Sequence, residues 1–181
     1  MTHRLAPKYA RYDEISEQIR SRQPDTADHP GQTAREIAAH HPRRLQLRVA
    51  GIRTETPTTS TFRLVAPDGA ALPLFLAGQY VNVFYDGTSR PYAMSSSPAH
   101  LDHYDLTIRR VPGGRVSNAL LDRVAVGDVL ETTGPMGTFH HNPLFHGDDV
   151  VFIAGGSGVV PAMSMIRDIA DAAGDPVRWE V

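Results

Sequence analysis

The sequence contains no cysteine, carries no marked excess of either charge, and has no long apolar run. Without thiols the chain forms no disulfide, holds no zinc through thiolates and ligates no iron–sulfur cluster through cysteine. A formal net charge of −2, with acidic and basic residues interspersed, excludes a nucleic-acid track and a polybasic membrane patch. The first thirty residues are rich in Arg, Asp, Glu, Gln and Pro and lack the apolar stretch of a signal peptide. No later stretch reaches spanning length without glycine or charge, so no membrane span is expected and the chain is read as cytoplasmic. At 181 residues it is either one ordinary domain or a domain of about 100 residues with attachments.

The texture of the chain changes twice. Residues 1–44 form an N-terminal arm with helical patterning at Tyr12–Arg20 and Thr33–His40 and no evident chemistry. The adjacent His40 and His41 point in different directions on a helix and have no third ligand near in sequence, so they are read as solvated. Residues 45–148 show short β-type runs bounded by turns: Leu45–Ile52, Ser60–Val65, Tyr80–Tyr85, Pro91–Ser95, Tyr104–Val111 and Val129–Thr132. Six such strands predict a closed barrel. Asp86-Gly87 is a tight-turn signal for a hairpin, and Ser117–Val124 interrupts the pattern with helical spacing. Residues 149–181 differ again. Val150–Ala154 reads as a strand buried on both faces, Gly155–Gly158 as a turn, and Pro161 as part of the first turn of a helix that continues to Ala173. Val177, Trp179 and Val181 alternate as a second strand. A lone βαβ cannot cover both faces of its sheet, which predicts a second domain that is incomplete within these residues.

Two stretches carry the chemistry. In Arg90-Pro91-Tyr92, the two-residue strand period places a guanidinium fork and an aromatic plane on one face, suited to a phosphate and a ring system. Gly113-Gly114-Arg115-Val116-Ser117 opens the short helix. Unpaired N–H groups at a helix start favour a phosphate, with Ser117 read as a capping residue and added donor. Each stretch alone is an ordinary barrel surface or a capped helix. Together they form the two halves of a dinucleotide clamp.

These motifs resemble those of the ferredoxin–NADP reductase superfamily, which includes reductase components of ring-hydroxylating oxygenases. Its Arg-x-Tyr-Ser-x-x-Ser, Gly-x-x-Ser, Gly-Pro-x-Gly and Gly-Gly-x-Gly-x-x-Pro motifs stand here at Arg90–Ser96, Gly114–Ser117, Gly134–Gly137 and Gly155–Pro161, and Ala77-Gly78-Gln79-Tyr80 is similar as well. The resemblance covers Leu45–Val181, about three-quarters of the chain. It implies a mainly β fold: a six-stranded antiparallel Greek-key FAD-binding barrel with one short helix, followed by the first βαβ portion of an incomplete α/β nucleotide-binding domain. It further implies that Arg90 pairs with the FAD pyrophosphate and that Tyr92, flanked by Pro91 and Ala93, packs on the isoalloxazine or ribityl chain. Thr107, Ile108 and Arg109 would lie along the flavin mainly through their backbone, and Val116 and Ser117 would hold the second phosphate. The turn at Gly156, Ser157 and Gly158 would face NADH or NADPH, its glycines permitting close backbone approach. Two phosphate sites favour FAD over FMN.

The implied activity is an FAD-dependent reductase that moves reducing equivalents from NAD(P)H to a separate acceptor, an iron–sulfur protein or oxygenase component. A rival is a flavin-holding or assembly subunit whose nucleotide site a partner chain completes; a second is a plain β-barrel module for another ligand. One departure from the family pattern bears on chemistry. Ala93 replaces the usual Ser or Thr whose hydroxyl bonds flavin N5, leaving Ser95 or a backbone N–H as the replacement donor. Glu180, placed like a ribose-binding acid, is read as solvent-facing. His100, His103, His140, His141 and His146 lack metal-ligand spacing and are read as surface residues.

Overall fold

The structure is a computed structural model that describes Gly31, Arg35, residues 44–141 and residues 151–173. The chain divides into two compact units, Met1–Ala38 and Ala39–Val181. Of the first, only Gly31 and Arg35 are described, the Arg35 N–H donating to the Gly31 carbonyl at 3.1 Å. Apart from Arg35, which is helical, the helices expected in the arm, the His40–His41 pair, His146, Glu180 and the strand expected at Val177–Val181 lie outside the described residues.

Six strands form the body of the second unit: β1 (Leu45–Thr56), β2 (Thr59–Val65), β3 (Tyr80–Tyr85), β4 (Thr88–Ala93), β5 (Tyr104–Arg109) and β6 (Val129–Thr132). Helix α1 (Arg115–Arg123) lies between β5 and β6. All pairings are antiparallel, in the order β4-β3-β6-β1-β2-β5. The two ends of that series meet just beyond β4, where Met94 bridges Leu106 and the Ser95 N–H donates to the Asp105 carbonyl at 2.8 Å. The sheet thereby closes on itself, and closure removes the unpaired edges that an open sheet exposes. The jumps from β2 to β3 and from β5 to β6 make the connectivity a Greek key.

The two-residue period sorts each strand into an inner and an outer set. Phe62 and Leu64 of β2, with Tyr104, Leu106 and Ile108 of β5, point inward and are buried; so do Leu47 and Val49 of β1 and Val81 and Val83 of β3. Val116 and Leu120 of α1 cap this core, and the Tyr104 hydroxyl donates to the Pro73 carbonyl. The outer set on β2 and β5 is polar: Thr61 and Arg63, Asp105 and Thr107, then Arg109. The β3–β4 hairpin turns at Asp86 and Gly87, both at positive φ (47° and 69°), as a two-residue turn that matches strand twist requires.

After the barrel, Gly156–Gly158 form one 3₁₀ turn and Val159–Ala172 form helix α2, with Pro161 in its first turn. The strand expected at Val150–Ala154 is not formed among its described residues. Residues 151–155 are irregular, and Val151 and Ile153 are 88% and 95% exposed. A continuous apolar run becomes a buried strand only when neighbouring strands satisfy its backbone and helices cover both faces. Among the described residues no strand pairs with it.

Candidate functional site

A cavity of about 830 Å³ opens on the outer wall of the barrel, where β4 and β5 face the start of α1 and the glycine turn. Its volume lies within the range of small-molecule sites. Of the positions singled out from sequence, Arg90, Pro91, Tyr92, Ala93, Thr107, Arg109, Val116, Ser117 and Ser157 line it. Three do not. Ile108 points its side chain into the core at 1% exposure, leaving only its backbone toward the outer face. Gly156 and Gly158 stand behind Ser157 in the turn, although a Cβ on Gly156 would lie 3.3 Å from Arg109 Nη1, so the guanidinium reaches across from β5 to the turn.

The electrostatics are one-sided. Arg90, Arg109, Arg110 and Arg115 line the cavity and, among the described residues, no Asp or Glu does. Two of these charges are met at the rim: Arg110 forks onto Asp122 at 2.5 and 3.0 Å, and Arg115 reaches Asp86 at 2.8 Å. Both aspartates are held below the ordinary carboxylate value by the hydrogen bond from their arginine and by its charge. The Arg90 Nη1 donates to the Ser89 carbonyl at 2.7 Å and to Thr88 Oγ1 at 3.3 Å, which turns the fork without neutralising it. Burial holds the Tyr92 phenol above its ordinary value against the opposing pull of Arg90. The ring is therefore neutral and half-buried beside a cation.

The start of α1 differs from the sequence expectation. Gly114, not Ser117, is the N-cap, and no side chain caps the helix. Ser117 sits inside the first turn, buried, with its Oγ folded back over Gly114: a Cβ at Gly114 would lie 2.4 Å from that oxygen. A glycine there lets the loop press against the serine, and the uncapped first turn opens into the cavity. Arg110, Val111, Pro112 and Val160 also line the cavity and were not singled out from sequence. Pro112-Gly113 was the available signal, since a turn of that composition brings its flanks to whatever the helix start serves.

The neighbourhood of Ala93 is also defined. Ser95, the expected replacement donor, is 2% exposed and spent: its Oγ donates to the Asp105 carbonyl at 3.1 Å and lies 2.9 Å from Thr107 Oγ1. Thr107, whose hydroxyl touches both Ser95 and Thr61, is the hydroxyl-bearing residue of β5 that lines the cavity. Behind this wall α2 docks on the segment after β4. The Ser164 hydroxyl donates to the Ser96 carbonyl at 2.7 Å and Arg167 donates to the Ser95 carbonyl. His100 pairs with Asp171 at 3.4 Å across the same junction. His103, read from sequence as a surface residue, has a side chain only 13% exposed, lying between Asp102 at 3.1 Å and Asp105 at 3.7 Å. A loop position beside a strand end does not ensure exposure when the outer wall is itself covered. Among the described residues no group of three or more His, Asp or Glu is placed to hold a metal.

A closed antiparallel barrel carrying an arginine–tyrosine strand, an open helix start and a glycine turn around one cavity that no carboxylate lines among the described residues has the form of a dinucleotide-binding barrel. Comparison with known families agrees: residues 46–141 match the oxidoreductase FAD-binding domain, and this chain belongs to that family. It is 39% identical over 125 residues to the glycine betaine monooxygenase reductase subunit of Pseudomonas aeruginosa, covering 67% of this chain and 34% of that protein. It is 35% identical over 132 residues to the flavohemoprotein of Xylella fastidiosa, covering 70% and 33%. Among solved structures, phthalate dioxygenase reductase superposes with a TM-score of 0.66 at 27% identity, covering 74% of this chain and 41% of that one. The Amycolatopsis cytochrome P450 reductase GcoB gives 0.64 at 33% identity, covering 72% and 40%. The chain thus spans about a third of the length of the curated relatives it matches.

The residues present fit FAD. The cavity holds Arg90 and Arg109, which have no carboxylate partner among the described residues, an uncapped helix start, and a neutral half-buried phenol, which fit a pyrophosphate and a ring.

Proposed function

We propose that this chain carries the flavin half of an NAD(P)H-dependent reductase, passing electrons to a separate acceptor protein such as an iron–sulfur or oxygenase component. The observation that supports it most is the cavity on the outer wall of β4 and β5, whose charged lining among the described residues is arginine alone, with the glycine turn on its far side. In this reading residues 45–148 are the FAD barrel, 149–181 begin the nicotinamide-nucleotide domain, and 1–44 are an arm with no assigned role. The relatives whose names include a monooxygenase reductase support the acceptor class. Among the described residues no helix is long and apolar enough to cross a membrane, and we place the reductase in the cytoplasm.

Bound FAD supplies the chemistry, taking a hydride's two electrons and releasing them singly. The chain supplies grip and placement. Arg90 holds the pyrophosphate from β4, and the N–H groups of Val116 and Ser117 hold it from α1. Tyr92 gives the ring an apolar face, and the backbone of Thr107 to Arg109 lies along it. Arg109 spans to the glycine turn, where Gly156 to Gly158 let a second nucleotide approach. Ala93 contributes no hydroxyl.

A second reading, a flavin-holding subunit that needs a partner chain to complete its nucleotide site, draws on the exposed, unpaired run at residues 151–155. One experiment separates the two. The purified chain is incubated with FAD, desalted and scanned from 350 to 550 nm, roughly the span of flavin absorption, and then mixed anaerobically with NADH or NADPH. Retained absorption that bleaches supports the reductase; retained absorption that persists supports the flavin-holding subunit; no retained flavin overturns both.

A further inference from the structure

A chain of hydroxyls leads from the cavity wall to the protein surface. Thr107 and Thr61 are opposite each other in the β2–β5 register, with their Oγ1 atoms 2.8 Å apart. Thr61 is 6% exposed, and its hydroxyl donates to Glu55 Oε1 at 2.6 Å. Glu55 is the extra residue of a bulge in β1, between the pairs Thr54–Ser60 and Thr56–Thr59. A bulge re-aims the side chain it carries. The Glu55 side chain is 31% exposed and also accepts from Arg53 Nε and Nη2 at 2.9 and 2.7 Å.

Counting hydrogens gives the chain a direction. Each hydroxyl has one hydrogen to donate. Thr61 spends its own on Glu55, so Thr107 must supply the hydrogen in the contact between the two threonines. Three hydroxyl hydrogens serve four contacts, so Ser95 divides its own between the Asp105 carbonyl at 3.1 Å and Thr107 Oγ1 at 2.9 Å. The hydrogens of Thr107 and Thr61 point outward toward a carboxylate, leaving Thr107 Oγ1 able to accept at the cavity wall. Ala93 lines that wall opposite Thr107, one step on from the Met94–Leu106 bridge, and has no hydroxyl to compete.

We propose that Thr107, Thr61 and Glu55 form a relay that carries a proton from the cavity to solvent as the bound flavin gives up its electrons. The inference rests on the reductase reading above. A hydride from NAD(P)H brings two electrons and one hydrogen nucleus to the flavin. When both electrons have left singly for a one-electron acceptor, the hydrogen nucleus leaves as a proton. Thr107 Oγ1 takes it and passes its own hydrogen to Thr61, Thr61 passes its own to Glu55, and the carboxyl returns a proton to water. The hydroxyls then rotate back. The flavin is oxidised, the acceptor is reduced, and the relay ends as it began. The charged groups facing Glu55 are Arg53 on its own strand and Arg167 from α2. Both favour the carboxylate that must stand ready at the outer end.

The test uses the 181-residue chain loaded with FAD, reduced with dithionite and mixed with ferricyanide in a stopped-flow instrument, in H₂O and in D₂O. Thr61→Val keeps the shape and removes the link; Thr61→Ser keeps the hydroxyl. Reoxidation of the wild-type chain is expected to slow in D₂O. Thr61→Val is expected to reoxidise about tenfold more slowly, less than the ~100-fold of a directly acting base because water still reaches the open cavity. Thr61→Ser restores the rate, and FAD affinity by fluorescence titration stays within about twofold in both variants. Thr61→Val reoxidising at the wild-type rate in both solvents overturns the relay and leaves the reductase reading standing. Loss of FAD affinity together with rate in Thr61→Val also overturns it, since the hydroxyls would then be structural. Failure of the wild-type chain to retain FAD sinks the reductase reading and the relay with it.

Discussion

Arg90 and Glu55 show how one side chain's neighbours decide what it contributes. Among the described residues Arg90 has only neutral acceptors, Ser89 and Thr88, so its charge is available to a ligand. Removing it in Arg90→Ala is expected to weaken FAD binding by about 10- to 100-fold, the worth of a charge-assisted hydrogen bond, with no change in thermal stability of the apoprotein. Fluorescence titration of FAD measures the first and a melting curve the second. For Glu55, burial acts upward on the carboxyl, but hydrogen bonds from Thr61 and Arg53 and the charges of Arg53 and Arg167 outweigh it and hold the group below its ordinary value. A depressed carboxylate contributes stability above its unfolded value, about 4.3, and loses that contribution as pH falls through the lower folded value. Glu55→Gln should therefore lose less stability than wild type on acidification from pH 5 downward, about where carboxylates begin to titrate, as read from urea midpoints across that range. Arg90 and Tyr92 were legible in the sequence because a two-residue period is all that puts them on one face. The Arg109 approach to Gly156 was not, since it depends on how α2 seats against the barrel.

Two segments that read as separate motifs are one structural piece. Tyr80 and Met136 exchange backbone hydrogen bonds at 2.9 Å in both directions, and Gln79 Nε2 donates to the Gly137 carbonyl at 3.0 Å. Gly78 makes the fit possible: its φ is +102°, and a Cβ there would lie 2.2 Å from the Phe139 carbonyl oxygen and 2.6 Å from Met165 Cε. Gly78→Ala is expected to cost about 2 to 4 kcal/mol, through backbone strain and overpacking against main chain, as measured by denaturant unfolding. Element boundaries followed the same logic. β3 and β6 match the sequence reading, because turns bracket them on both sides. β1 runs on to Thr56, beyond the expected Ile52, because β2 pairs along its whole length and a bulge absorbs the extra residue. The strand expected at Val150–Ala154 failed for the opposite reason: apolar composition specifies burial, and only neighbouring strands convert burial into a sheet.

For the molecule as a whole, the sequence was most informative where a local pattern and a global constraint agree, as in six short alternating runs that close into one barrel. It was least informative where polar side chains from distant strands meet on the outer wall. Glu55, Thr61 and Thr107 belong to three strands, and no spacing rule links them; His103 went unnoticed as a partly covered residue for the same reason.

The core and the cavity lie on opposite faces of β5: Leu106 and Ile108 look inward, Thr107 and Arg109 outward. On β5 a cofactor held in this cavity would therefore meet only outward side chains, with Val116 of α1 the one core residue that also lines it, and the barrel would be a socket rather than a shell folded around its contents. Stripping the flavin should leave far-UV circular dichroism unchanged and lower the melting temperature only by the ligand's mass-action share, which shrinks as free FAD falls toward its dissociation constant. A socket of this kind can be emptied and refilled, with modified flavins as readily as with the natural one, without passing through the unfolded state.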